Sequence, residues 1–396
     1  MRRGEIKLSW LLLGSLIAST GTSFVWPLTT VYMHEYLNQS LTTAGIVLCI
    51  ESIVMILGSY FGGYIYDRLN SQHWLLTAIG LSMGSMFILI FLNGWPAYPI
   101  LLVINGFGGA IANTIINSLA TSIKKYDARY VFNMLYFTAN VGVVLGTLLV
   151  GFIIDINIRY IFCITFVLFL LFFIIAKKHY NNPQDKENKN VHEKKASGDR
   201  GVKTKTRNVV IILFILLTYL AIQIGYSQWQ SNLAVYMQTL GIAIGKYSLL
   251  WTMNGLLIVL GQPLINFVDE HFKVNEYTKI YVGFFLFTIA FTSLIFAKDY
   301  MHFILSMIVV TLGEVITFPT ISSLVNNLSG TGEKGRYQGL VSIAASLGHA
   351  VGPLLGGLII EIGSYEILFF IMVVLVVFSG GVSVLLTGVR GPKKKK

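Results

Sequence analysis

An all-α membrane protein, with twelve transmembrane helices in two six-helix pseudo-repeats, is the fold class this sequence predicts. Three observations carry the prediction. The 396 residues are 55% hydrophobic and only 12% charged, against about 25% charged in an average soluble domain. The apolar residues gather into twelve windows of about 20, long enough to cross a bilayer as helix. Six windows precede and six follow a single polar stretch, and glycine patterns recur at matching places in the two halves.

In chain order the spans fall near 9–33, 42–66, 74–92, 98–122, 130–154 and 158–176, then 208–237, 246–268, 279–297, 301–327, 336–360 and 365–388. The domains predicted are a first bundle over 1–176, a linker over 177–207 and a second bundle over 208–396. Arg2 and Arg3 precede a long apolar run without a small-residue cleavage site, which reads as a retained first helix. In span one, Phe24 and Trp26 before Pro27 read as packing and a kink. The linker is rich in Lys, Asn and Glu and poor in large apolar side chains, so it cannot bury enough surface to fold. It reads as a tether, with contact to anionic lipid as the alternative.

The net charge of +11 would suggest nucleic acid in a soluble chain. Here the basic residues follow the positive-inside rule instead. With both termini cytoplasmic, only Arg159, Lys246 and Lys298 of the 29 Lys and Arg lie outside. Cys49 and Cys163 fall inside apolar spans and form neither a disulfide framework nor a metal-ligand spacing. No phosphate-binding loop, metal cluster or nucleophile elbow is present, so the sequence predicts no enzyme and no cofactor. Energy for transport would come from a gradient.

The repeat is visible in two places. Span five reads Gly142-Val-Val-Leu-Gly146-Thr147-Leu-Leu-Val-Gly151, and span eleven reads Gly348-His349-Ala-Val-Gly352-Pro353-Leu-Leu-Gly356-Gly357. After span two come Gly62-Gly63-Tyr-Ile-Tyr-Asp67-Arg68, and in span eight Gly261-Gln-Pro263 leads to Asp269. Small residues every fourth position let helix backbones approach closely. A parallel repeat of six spans is a transporter pattern, with the site near the midplane.

The candidate site centres on Glu314, close to the middle of span ten. A carboxylate in hydrocarbon costs several kcal/mol unless it is neutral, paired or facing water. Met307, Thr311, Glu314 and Phe318 are spaced to share one helix face, an acidic and aromatic face suited to a lipophilic cation. A buried Glu bonded to a neighbouring helix is the alternative. Span seven carries Tyr219, Gln223, Tyr226 and Gln230 as a polar-aromatic stripe, read either as ligand contacts or as interhelical glue and interfacial belt. Span four adds Asn113 and Asn117, one turn apart. Glu51 in span two and His349 in span eleven are the other ionisable groups at depth. Together with Glu314 they are the candidates for proton and cation coupling. Their similar depths suggest a Glu51–His349 pair; a His349 bonded to a span-ten hydroxyl or a carbonyl is the alternative.

These residues together resemble the major facilitator superfamily. The loop signature G-x-x-x-D-R-x-G-R-R/K is matched at Gly63, Asp67 and Arg68, while Asn70-Ser71-Gln72-His73 stands in place of its Gly-Arg-Arg part. Span eleven resembles the Gly/Pro motif of the twelve-helix drug:proton antiporter group, which in that group sits in span five. Here span five has Thr147 where the motif has proline, and Asn105 occupies the span-four place of a frequent Arg. The run from Thr311 to Pro319 is similar to span ten of LmrP-like multidrug transporters, in which a Glu serves cation binding and coupling.

The resemblance implies a monomeric, proton-coupled exporter of lipophilic, mainly cationic compounds in a bacterial cell membrane, in contact with protons and membrane lipids. A narrow-substrate exporter or a lipid or glycolipid translocator on the same fold is the alternative. It also implies that spans one, four, seven and ten line a central cavity, and that Asp67 and Arg68 form a gate. A solvated loop is the plainer reading of those two.

Overall fold

The computed structural model describes residues 6–25, 28–121, 123, 125–126, 128–153, 157–180, 204–272, 274–330 and 333–388. Fourteen α-helices run through them: α1 (Leu8–Val25), α2 (Thr29–Val31), α3 (Leu41–Arg68), α4 (Ser71–Phe91), α5 (Ala97–Thr121), α6 (Ala128–Ile153) and α7 (Ile158–His179), followed by α8 (Thr206–Gln230), α9 (Asn232–Thr239), α10 (Ile244–Phe272), α11 (Glu276–Ile295), α12 (Tyr300–Leu328), α13 (Lys334–Ile362) and α14 (Tyr365–Gly388). A π-helical turn, Tyr32–Tyr36, continues α2. Eleven helices are long and apolar enough to cross a bilayer among the described residues. The remaining predicted span, 9–33, covers α1 and α2. Trp26, Pro27 and the side chain of Phe24 lie outside the described residues. The all-helical expectation is met.

One predicted span is subdivided among the described residues. Span seven was expected as one helix, but Ser231, at φ −121 and ψ −82, ends α8 and starts α9. Helix starts elsewhere follow from short polar side chains that accept the first free amides. Asn70 accepts from His73, Asn157 from Arg159, and Asn275 from Tyr277, each at 2.9 or 3.0 Å. Asn70 therefore caps α4 at the point where the loop signature departs from its usual glycine. Asn38 (φ 52) and Gly241 (φ 75) take the two left-handed turns.

The chain divides into two compact units. Unit 1 comprises residues 1–39, 46–198 and 243–256, so the first turns of α10 belong to it. Its apolar core joins Leu11 of α1, Ile65 of α3, Leu75 and Ile79 of α4, Ile115 of α5, Val131 of α6 and Phe172 of α7. Glycines on α6 let α1 come close. A Cβ at Gly142 would stand 2.7 Å from the Leu16 carbonyl, and one at Gly146 2.7 Å from that of Thr20. The hydroxyls of Thr147 on α6 and Thr252 on α10 lie 3.1 Å apart. At the end of α7, Tyr180 is fully buried and donates to the Trp10 carbonyl at 3.0 Å.

Unit 2 comprises residues 40–45, 199–242 and 257–396. Its α13 glycines repeat against α8 what those of α6 do against α1: a Cβ at Gly348 would meet Cβ of Gln223 at 2.3 Å. Gln228 completes this joint, donating to the Gly352 carbonyl at 2.8 Å while its oxygen accepts from Asn232 at 2.7 Å. Residues 181–203 of the linker lie outside the described residues. Its described end is docked: the Thr204 amide donates to Glu333 at 2.8 Å and its hydroxyl accepts from the Gly330 amide at 2.9 Å. Large apolar side chains such as Tyr60, Leu260, Phe285 and Phe378 stay exposed, as outward faces in a lipid solvent require.

Candidate functional site

Glu314 stands midway along α12, and α8 supplies its partner. The phenol of Tyr226 donates to a Glu314 carboxylate oxygen at 2.9 Å. One turn on, the Phe318 ring meets Tyr226 edge-on at 5.8 Å and Tyr219 edge-on at 5.4 Å. Phe287 of α11 stacks on the other side of Phe318 at 6.0 Å. The His349 ring of α13 lies 6.3 Å from Tyr226, nearly perpendicular. An acid, a phenol that bonds it, an imidazole and three further aromatic rings thus gather inside unit 2. Two helical registers produce this. Glu314 and Phe318 are four apart on α12; Tyr219 and Tyr226 are seven apart on α8, so each pair shares a face.

The remaining predicted residues divide. Met307 and Thr311 are fully buried, and the Thr311 hydroxyl donates to the Met307 carbonyl at 2.7 Å. They pack inside the bundle on the predicted face. Gln223 is also buried, its stem against Gly348, and its amide oxygen has no hydrogen-bond partner. Gln230 is half-buried at the last turn of α8. Pro319 removes the amide that would bond the Val315 carbonyl one turn below, so the backbone beside Phe318 lacks one ladder bond. The side chains of Asp67 and Arg68 lie outside the described residues.

Glu51, Asn113 and Asn117 belong to unit 1. Glu51 lies across Gly106 of α5: a Cβ there would stand 3.0 Å from Glu51 Cγ and 3.1 Å from its Oε1. Asn117 donates to Asn113 at 3.5 Å, and both are exposed. Glu51 and Asn113 line a cavity of about 370 Å3 within this unit, together with Ser82 and Asn105. Within its own unit His349 has Tyr226 as its aromatic neighbour, and Glu51 has Gly106 and the cavity.

Sequence reasoning missed two things. The first is that Tyr226 serves Glu314; the stripe on α8 flagged the residue but not its partner. The second is the contribution of Asn105 and Ser82 to a polar chamber around Glu51, for which the sequence, with Glu51 and Asn105 in different spans, carries no signal.

Long apolar helices that hold one half-buried acid among aromatic rings and another beside a polar cavity are features of a membrane transport protein. The chain matches the Major Facilitator Superfamily over residues 11–326 and 231–396, and it belongs to that family. It is 34% identical over 371 residues to the uncharacterized MFS-type transporter YttB of Bacillus subtilis (strain 168), covering 93% of this chain and 92% of that one. It is 25% identical over 348 residues to the quinolone resistance protein NorA of Staphylococcus aureus (strain COL), covering 86% and 87%. Among solved structures, a mutant of peptide transporter POT superposes with a TM-score of 0.81 at 14% identity, over 96% of this chain and 93% of that one. A mutant of the nucleoside transporter NupG superposes with a TM-score of 0.76 at 13% identity, over 96% and 99%. These structures share the fold. The protein is a multi-pass membrane transporter of small molecules, with bacterial relatives, and is not an enzyme.

Proposed function

We propose that this transporter is a proton-coupled exporter of lipophilic, mainly cationic small molecules, working by alternating access as LmrP-like antiporters do. The observation that carries the reading is the Glu314 carboxylate, bonded by Tyr226 at 2.9 Å and flanked by Phe318. A carboxylate in a low-dielectric site can hold a proton or a bound cation, but holding both at once gains nothing electrostatically. That exclusivity is what exchange needs. Aromatic faces add attraction for the cation, and the attraction grows as water is excluded. The likeness to NorA, a quinolone resistance protein, supports a drug-like substrate.

In this reading Glu314 is the principal coupling group, with Glu51 and His349 assisting. Tyr219, Gln223, Tyr226, Gln230, Met307, Thr311, Phe318, Asn113 and Asn117 shape the path, and Asp67 and Arg68 gate it. The protein works as a monomer among membrane lipids of a bacterial plasma membrane, with both termini cytoplasmic. A pH difference of one unit supplies about 1.4 kcal/mol per proton, and each 100 mV adds about 2.3 kcal/mol per charge.

The test is efflux of a cationic dye from proteoliposomes under an imposed pH gradient. Wild type should accumulate or release dye according to the sign of the gradient, and Glu314→Gln should not respond to it. Gradient-driven efflux at the wild-type rate in Glu314→Gln would overturn the assignment. Indifference to cationic dyes with saturable glycan binding would instead support a glycolipid translocator.

A further inference from the structure

Unit 1 holds a cavity of about 370 Å3 lined by its own residues. Its volume lies at the small end of the range of ligand sites, about 300–1,000 Å3. Among its lining residues are Glu51 of α3, Ser82 of α4, Asn105 of α5 and Thr22 and Ser23 of α1, with Phe169 of α7 as apolar wall. No Lys, Arg or His is among the lining residues.

Two polar groups there are poorly accounted for by the fold. Asn105 is only 8% exposed, and its side-chain oxygen is buried without a hydrogen-bond partner. Buried polar atoms are normally bonded, so an orphan acceptor asks for an explanation. The second is the Glu51 carboxylate, which lies over the next residue, Gly106, in space that any side chain at 106 would crowd. Three of the lining hydroxyls are already committed as donors. Thr22 donates to the Ala18 carbonyl at 2.9 Å, Ser23 to the Ser19 carbonyl at 2.7 Å, and Ser82 to the backbone carbonyl of Asn105 at 3.1 Å. What these hydroxyls have left to offer is lone pairs. The chamber therefore combines an acid, an unpaired amide oxygen and three hydroxyls left only to accept, beside an apolar wall.

We propose that this chamber is a binding site for a protonated primary or secondary amine with a compact apolar body. Its N–H groups satisfy Glu51 and the Asn105 oxygen together. A quaternary ammonium of the same shape brings charge but no donor, and leaves the Asn105 oxygen unpaired. The aromatic cage around Glu314 has the opposite preference, since ring faces attract a cation whether or not it carries N–H. Glu51 also serves the exporter reading, but the amine site is tested by binding without transport, so failure of one is distinguishable from failure of the other.

The experiment is isothermal titration of the purified full-length protein in lipid nanodiscs with n-butylammonium and with butyltrimethylammonium. Wild type should bind butylammonium saturably and prefer it to the quaternary analogue. Glu51→Gln should weaken butylammonium binding about tenfold or more, and Asn105→Leu about fivefold. Asn105→Leu should leave the quaternary analogue unaffected. Melting curves establish that each variant is folded; if Glu51→Gln fails to fold, Asn105→Leu decides. Absence of saturable butylammonium binding to wild type would overturn the proposal, as would unchanged binding in the folded variants. Equal effects of Asn105→Leu on both ligands would remove the donor argument.

Discussion

The phenol of Tyr226 and the carboxylate of Glu314 are joined at 2.9 Å although 88 residues separate them in sequence. The bond fixes where on α12 the acid points, because α8 is anchored by its own packing against the α13 glycines. Loss of the phenol oxygen should therefore disturb the acid's position without removing its charge. Tyr226→Phe keeps the ring against Phe318 and His349 and deletes only the donor. A hydrogen bond to a charged group is worth about 1.5–3 kcal/mol, so cation affinity should fall roughly ten- to a hundredfold. Dye binding to Tyr226→Phe in detergent measures this; an affinity within twofold of wild type would show the bond to be incidental.

Phe318 is the hub of the aromatic contacts, touching Tyr219, Tyr226 and Phe287. Phe318→Leu preserves apolar volume but removes the ring face. If the ring attracts cations, the variant should lose affinity for a cationic dye by about 0.5–2 kcal/mol and keep its affinity for a neutral analogue. Equal losses for both would make Phe318 a packing residue.

The sequence made the helices and the acid visible, but not the acid's partners. Windows of apolar residues mark spans because each span faces the same lipid constraint, whatever its neighbours. The glycines of spans five and eleven were legible for a similar reason. Close helix approach needs small residues at fixed spacing, and Gly146 and Gly352 carry that spacing on their own helices. Which helix they meet is a tertiary matter. Nothing in α8 alone says that Tyr226 reaches Glu314, or that Gln223 is buried against Gly348 while Tyr226 reaches an acid. The chamber around Glu51 was illegible because its polar groups come from four different helices, α1, α3, α4 and α5, and α7 adds only an apolar wall. The break at Ser231 was hidden as well, since no Gly or Pro marks it.

Orientation in the membrane rests on the basic residues, and two positions test it. Lys298 precedes α12, and the exposed Lys125 lies between α5 and α6. In a background with Cys49→Ser and Cys163→Ser, Lys298→Cys should react with an impermeant maleimide added to whole cells. Lys125→Cys should react only after permeabilisation. The reverse pattern would invert the topology.

At the start of α12, Asp299 accepts from the His302 amide at 3.0 Å and from its ring at 2.9 Å. These bonds, the amide first, hold its carboxyl below the usual aspartate value. A depressed carboxylate stabilises the folded helix end when ionised. Its contribution is complete above the ordinary pKa of about 3.9 and is lost as pH falls through the lower, folded-state value. First-turn amides of α12 should therefore exchange faster, after correction for intrinsic rates, as pH drops from about 5 to 2. Asp299→Asn should flatten that dependence while retaining a capping oxygen. A pH response identical in both proteins would remove Asp299 as its source.

The glycines of the two repeats give a prediction with its own controls. A methyl at Gly142 or Gly146 would stand 2.7 Å from a backbone carbonyl of α1, and at Gly348 2.3 Å from Cβ of Gln223. None of these neighbours is the free end of a flexible side chain, so relief requires the helices to separate. Overpacking of this kind costs about 1–3 kcal/mol. Gly80 and Gly84 on α4 have no heavy atom within 4 Å of the same added Cβ. At those two positions alanine should be neutral or raise stability by up to about 1 kcal/mol, through its better helix propensity. Thermal unfolding in detergent, followed by loss of the monodisperse chromatographic peak, ranks the five variants. Gly142→Ala, Gly146→Ala and Gly348→Ala should melt below wild type, with Gly80→Ala and Gly84→Ala at or above it. If all five variants melt alike, close approach at α1–α6 and α8–α13 is not what these glycines provide.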